Sequence, residues 1–335
     1  MQTTALLLPR FSLFPFFAFL PIAALVCGCN AADFDPSSNI ESVRILATAA
    51  DKPYAKPGDA VNMQVLAFDG RPDKPRPMGV WWIPQACVNP ASDAYYSCYS
   101  AFGQSFAPGV DLTPRLTAGP NFAFQMPGDA ISAHGSSRGG EPYGLAVTFV
   151  IACAGHVEYT PPPSGSPANT LPFGCFDENH VQLGADDFVF AYSLVYAFAD
   201  RTNANPVIDH LTVSGMPVEE ATGIVLDHCT TSDIDDCPTV PLDTVISPSN
   251  QELDPADLDA NGNVLREEIW VDYYLTAGKV KHDTLILFDP SQGQLTGLAD
   301  DLHAPQTAGS YLLWAVAHDN RGGVSWVQVG LAARN

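Results

Sequence analysis

Proline and glycine punctuate this chain too densely for long helices: 29 prolines and 26 glycines are spread over 335 residues. A proline inside a helix removes a hydrogen bond and clashes with the preceding turn. The segments between the breaks have strand character. In Ala60 to Phe68, Val61, Met63, Val65 and Ala67 fall on alternating positions, the period of a half-buried strand. Ser42 to Thr48 and Met78 to Ile83 read the same way, with the turn signal Lys56-Pro57-Gly58-Asp59 between the first two strands. Tyr143 to Cys153 is long and apolar, as expected of a central strand. Asp187 to Phe198 places Phe188, Phe190, Tyr192, Leu194, Tyr196 and Phe198 on one face. A buried sheet core explains that ladder better than a sugar-binding strip, because aromatic residues favour strands in general.

After the linker-like Arg201 to Pro206 the pattern restarts. Pro206 to Gly215 repeats the character of Ser42 to Thr48. Glu268 to Leu275, Asp283 to Phe288 and a closing hairpin around Asp319-Asn320-Arg321-Gly322-Gly323 follow. A restart of this kind suggests a second copy of one domain type, and seven or so short strands per roughly 130–160 residues read as a β-sandwich. The expected fold is therefore all-β, with two immunoglobulin-like β-sandwich domains in tandem, residues 40–200 and 201–335. Hydrophobic residues make up 46% of the chain, so it has a core to bury, and charged residues only 16%.

Ahead of the first strand, Arg10 precedes the apolar run Phe11 to Val26, which carries Pro15 and Pro21. That is the form of an export signal and too short and broken for a spanning helix. Val26-Cys27-Gly28-Cys29 resembles the bacterial lipobox, which implies cleavage after residue 28 and lipidation, including palmitate, on Cys29. Cleavage before Cys27 would put Val26 where a small residue is wanted. Asn30 follows the cysteine in place of the Asp associated with inner-membrane retention, so an outer-membrane address is expected, with residues 29–39 as a tether.

The chain holds 15 Lys and Arg against 37 Asp and Glu, a net charge of −22. Loss of residues 1–28, which contain Arg10 and no acid, makes it −23. So acidic a surface repels phosphate backbones and excludes nucleic acid as a partner. Six cysteines remain for the folded part beside the lipidated Cys29, and an even number in an exported chain argues for disulfides. They fall into local pairs, Cys87 with Cys98, Cys153 with Cys175 and Cys229 with Cys237, each closure contributing roughly 2–3 kcal/mol. None has the Cys-x-x-Cys spacing of a zinc site.

A resemblance rests on Val43-Arg44-Ile45-Leu46, the Cys87-Val-Asn-Pro and Tyr95-Tyr96-Ser-Cys98 loop, Asn203-Ala-Asn-Pro206, Val271-Asp272-Tyr273 before Thr276-Ala-Gly278, and Asp319 to Gly323. These resemble myxobacterial-type surface lipoproteins with tandem immunoglobulin-like domains, and the closing hairpin is similar to PKD domains. The resemblance implies fold and location. Its residues are turns and loops and bring no activity with them.

Catalytic patterns fail on context. Gly135-Ser136-Ser137-Arg138-Gly139 fits G-x-S-x-G, but it lacks the strand before and helix after that a nucleophile elbow needs. The eight histidines show no His-x-x-x-His spacing. Adjacent acids, Asp186-Asp187 and Glu267-Glu268, could serve a glycosidase only if folding brought a pair together. The sharpest pattern runs from Asp257 to Glu268. Asp257, Asp259, Asn261, the Asn263 carbonyl and Glu268, with Gly262 at the turn, satisfy the twelve-position calcium loop. Its flanks look like a strand and not like helices, which favours a polar acidic loop over bound Ca2+. Asp233, Asp235 and Asp236 read as a solvated loop.

The expected function is a non-catalytic cell-envelope lipoprotein, with no required cofactor, held to the bilayer by its acyl anchor and holding or recognising an envelope protein or glycan. The sandwich-end loops and Trp81-Trp82 are candidate contact surfaces, although adjacent strand residues point to opposite faces, so one tryptophan belongs to the core. The alternatives are an exported hydrolase acting on polysaccharide or ester and a calcium-dependent adhesion module.

Overall fold

The alternation in the sequence becomes two stacked pairs of sheets. The computed structural model describes residues 37–134, 141–219 and 221–335. In the first half the strands include β1 (Val43–Ala50), β2 (Tyr54–Ala55), β3 (Ala60–Asp69), β4 (Gly79–Trp82), β5 (Thr117–Ala118), β6 (Asn121–Gln125), β7 (Gly144–Cys153), β8 (His156–Tyr159), β9 (Phe173–Phe176) and β10 (Phe188–Ala197). One sheet runs β1-β3-β6, the facing sheet β2-β10-β7-β4-β5.

The second half contains β11 (Ile208–Val213), β12 (Ile224–Asp227), β13 (Thr239–Ile246), β14 (Leu253–Leu258), β15 (Val264–Arg266), β16 (Ile269–Leu275), β17 (Thr284–Asp289), β18 (Asp300–His303), β19 (Gly309–Asp319) and β20 (Val324–Arg334). Its sheets contain β11-β13-β18 and β12-β20-β19-β16-β17. The two orders are the same. In both halves a short second strand leaves the first sheet and runs parallel to the last strand, Tyr54 beside Tyr196 and Ile224 beside Leu331. This is the immunoglobulin arrangement of a Greek-key sandwich, repeated once in tandem.

Each sandwich closes over its own core. In the first, Val61 and Met63 of β3, Phe122 of β6, Trp82 of β4 and Val150 of β7 interdigitate. In the second, Leu211, Leu242, Val271, Tyr273, Leu313 and Leu331 do so. Trp82 is fully buried and stacks on Phe122 at 5.5 Å, while Trp81 faces the opposite side of the sheet. The adjacent pair is thus divided between two layers.

The first half carries a third layer. Helix α1 (Tyr99–Ser105) and the β8–β9 hairpin cover the outer face of the β7 sheet, with Phe102 edge-on to Phe149 at 5.3 Å. β7 is consequently buried at all ten positions, odd residues against this layer and even ones against the sandwich core. The aromatic ladder of β10 is half-buried for the same reason: Phe190, Leu194 and Tyr196 pack against the third layer. Tyr192 stays 43% exposed, with Tyr95 stacked on it at 4.1 Å.

Disulfides Cys87–Cys98, Cys153–Cys175 and Cys229–Cys237 are formed. The first ties the segment leading into α1, and the second fastens β9 to the end of β7.

The expected tether of residues 29–39 is docked at its far end. Ser38 is fully buried and Leu275 N donates to its carbonyl at 2.8 Å. Ile40 N donates to the Leu275 carbonyl at 2.9 Å, and Ser37 Oγ reaches Asp283 at 2.6 Å. Backbone groups leaving water must be paired, and β16 of the second sandwich supplies the partners. The chain thus touches the second sandwich before it enters the first.

Candidate functional site

The residues singled out as turns in the sequence meet at the seam between the sandwiches. Asn203 and Asn205 belong to the linker-like segment Arg201 to Pro206, yet neither is loose. Asn203 Nδ2 donates to the Asp319 carboxylate at 3.1 Å, Asn205 Nδ2 to the Ala50 carbonyl at 2.8 Å, and Val324 N to Asn205 Oδ1 at 2.9 Å. Arg201 pairs with Asp254 at 2.7 Å and lies over the rings of Tyr54 and Phe198 at 5.0 and 4.8 Å. The linker is therefore stitched to both sandwiches by amide and guanidinium contacts.

The closing hairpin supplies the other side. Asp319 Oδ1 accepts the backbone N–H groups of Arg321 and Gly323, each at 2.8 Å. Only glycine fits at 323, because a Cβ there would lie 2.0 Å from Asp319 Oδ2 and 3.1 Å from the Ala204 carbonyl. Arg321, 6% exposed, donates to Glu267 and, at 2.5 Å, to Glu252. One guanidinium thus faces the carboxylates of Glu267, Glu252 and Asp319. Burial and the Asp319 charge push Glu267 up to about 7, against the pull of Arg321. Asp319 is also raised, chiefly by burial, with its backbone hydrogen bonds opposing. Two clefts of about 460 and 570 Å³ flank this seam, the larger walled by Tyr54, Tyr192, Tyr196 and Arg321.

The calcium pattern occupies a different structure from the helix-flanked loop it matches. Asp257 lies in β14, and Asp259 to Asn263 form the turn of the β14–β15 hairpin. Asp259 already accepts the N–H groups of Asn261 and Asn263 and the Asn263 side-chain amide at 2.8–2.9 Å, and these bonds hold its carboxyl below the usual range. Gly262 takes φ +83° within the turn. Glu268 stands beyond β15, its backbone N–H bonded to Asn320. Asp and Asn are turn formers for the reason they are cation ligands: short oxygen-bearing side chains bond nearby backbone.

Three more of the acids named above are committed to a cation or to a turn. Asp187 pairs with buried Arg71 at 2.5 Å, and Asp235 with Lys279 at 2.5 Å. Asp233 caps the short turn that follows it. Cys29 and the Gly135–Gly139 pattern lie outside the described residues.

One grouping escaped the sequence reading. His156 and Glu158 are two apart on β8 and so share a face, and His180 arrives from the turn after β9. His156 Nε2 and His180 Nδ1 both meet Glu158 Oε1, at 2.8 and 2.5 Å. Among the described residues this is the group of His, Cys, Asp and Glu whose ligand atoms gather within 4.8 Å. Burial pushes the Glu158 carboxyl up, but the hydrogen bonds from His180 and His156 prevail and hold it below its ordinary value. The period-two signal His-x-Glu was present in the sequence; its third member, 22 residues beyond Glu158, was not.

No family model matches the sequence, and no curated protein matches it. Among solved structures, the fibronectin(III)-like modules of Clostridium thermocellum CbhA share 8% identity over 86% of this chain and 94% of theirs, with a TM-score of 0.20. Dimeric latent PorU from Porphyromonas gingivalis shares 8% over 89% of this chain and 24% of its own, TM-score 0.21. BspA_C_mut shares 10% over 85% and 94%, TM-score 0.19. Likenesses this slight add no weight; the class, a tandem of immunoglobulin-like sandwiches with disulfides, rests on the chain's own strand order.

Proposed function

We propose that this chain is a cell-envelope lipoprotein of the myxobacterial surface type, anchored through Cys29, whose two sandwiches act as one stiff, non-catalytic body that holds or recognises an envelope protein or glycan. The observation that carries this reading is the stitched linker. A hinge between domains is normally polar and free of contacts. Here Asn203, Asn205 and Arg201 fix the second sandwich against the first, which suits a spacer or a presenting scaffold. The disulfides fit an oxidising compartment outside the cytoplasm. The acidic surface suits a protein that stays apart from anionic polymers unless a specific contact forms.

The test is lipidation. Cys29→Ser should move the full-length protein from the detergent phase to the aqueous phase on temperature-induced detergent partitioning, and from the membrane pellet to the soluble fraction. Unchanged partitioning would refute the anchor.

A further inference from the structure

We propose that His156, Glu158 and His180 form a binding site for a single first-row divalent cation, with Zn2+ as its fitting occupant. The three side chains come from rigid supports. His156 and Glu158 stand on β8, which pairs with β9 in register, His156 opposite Phe176. Disulfide Cys153–Cys175 clamps the base of this hairpin three residues before His156 and five before His180. His180 is set by a built turn: Asp177 Oδ1 accepts the N–H groups of Asn179 and Val181 at 2.8 and 2.9 Å, and His180 N donates to the Asp177 carbonyl at 3.0 Å. That turn holds His180 at φ +60°, a left-handed conformation uncommon outside glycine and concentrated at functional sites.

The donor set selects the metal. Two imidazole nitrogens and one carboxylate suit zinc and its neighbours, whereas Ca2+ wants six to eight oxygens. Ligand atoms around a four-coordinate zinc, with bonds of about 2.0–2.1 Å, lie roughly 3.3 Å apart. The two nitrogens are 2.8 and 2.5 Å from Glu158 Oε1, and the three atoms lie within 4.8 Å of one another. Shifts of about an ångström, available to two rings of which one is 60% exposed, open the cluster to that size. Glu158 is 3% exposed, so the carboxylate is already desolvated and aimed at the rings. Three protein ligands under an exposed His180 leave a coordination position facing solvent, the form of an open zinc site.

The experiment uses the purified, disulfide-intact full chain. Calorimetric titration with zinc chloride should show one tight equivalent, and cobalt(II) should give the visible absorption of a four- or five-coordinate ion. His180→Ala removes an exposed side chain without disturbing the core, and should weaken zinc binding at least tenfold and abolish the cobalt band; Glu158→Gln should do the same. Asp259→Ala, in the acidic hairpin turn, should leave both signals intact, and millimolar calcium should not displace the zinc. Absence of a stoichiometric zinc signal, or wild-type zinc binding by His180→Ala, would overturn the proposal.

Discussion

Arg321→Met should lower the unfolding free energy by roughly 3–5 kcal/mol near pH 8, the cost of removing one partner of a buried ion pair and leaving the other charge unpaired. Methionine retains most of the aliphatic stem but none of the charge. It strands Glu267, 1% exposed, beside Glu252 and Asp319. The pH dependence identifies the cause. Glu267 ionises near 4.5 when exposed and near 7 in the folded protein. The native state therefore holds its proton more tightly than the unfolded state. This contribution to stability is complete below about pH 4.5 and is lost as pH rises through 7. Without the guanidinium the folded value climbs further, so the deficit of the variant should be larger at pH 8 than at pH 5. Adding Glu267→Gln to Arg321→Met should recover part of the loss and flatten the pH profile. Denaturant titrations at the two pH values measure this. A deficit that does not change with pH would show that the seam is not held by this charge arrangement.

Features written in local pattern were legible. The alternation of Val61, Met63 and Val65 placed them in one core, and the short cysteine spacings gave the three disulfides. The restart at Pro206 corresponds to a second sandwich with the same strand order. What escaped depends on pairing over distance. Asn203 and Asn205 look like ordinary turn residues, because their partners Asp319 and Val324 lie 116 and 119 positions away. The third layer escaped because Phe102 and Phe106 show no strand period, and nothing local announces that a short helix lies across Phe149. The Asp257 to Glu268 pattern reads as both a cation loop and a tight turn for a chemical reason. Side chains that bind a hard cation also bond the amides of a tight turn, and Asp259 is engaged in that second use.

Trp314→Ala should have an effect of similar size by another route, roughly 3–5 kcal/mol for deletion of a buried aromatic side chain. Along β19, Leu313, Ala315 and Ala317 point into the second sandwich, so Trp314 points away from it. It is 1% exposed because Phe68, at 4.8 Å, with Ile40, Leu46 and Leu66 closes over it from the first half of the chain. Its indole N–H donates to Gln328 Oε1 at 2.9 Å, which satisfies the polar edge without water. Removing the ring leaves each sandwich its own core and takes the apolar link from between them. The expected calorimetric result is one cooperative transition in the wild type and two resolved transitions in Trp314→Ala, the signature of domains that have lost their coupling. Trp314→Phe, which keeps an aromatic face toward Phe68, should retain a single transition at a lower temperature. A single, barely shifted transition in Trp314→Ala would mean that the polar stitching of Asn203, Asn205 and Arg201 couples the sandwiches by itself. The apolar contact would then be a filler and not a fastener.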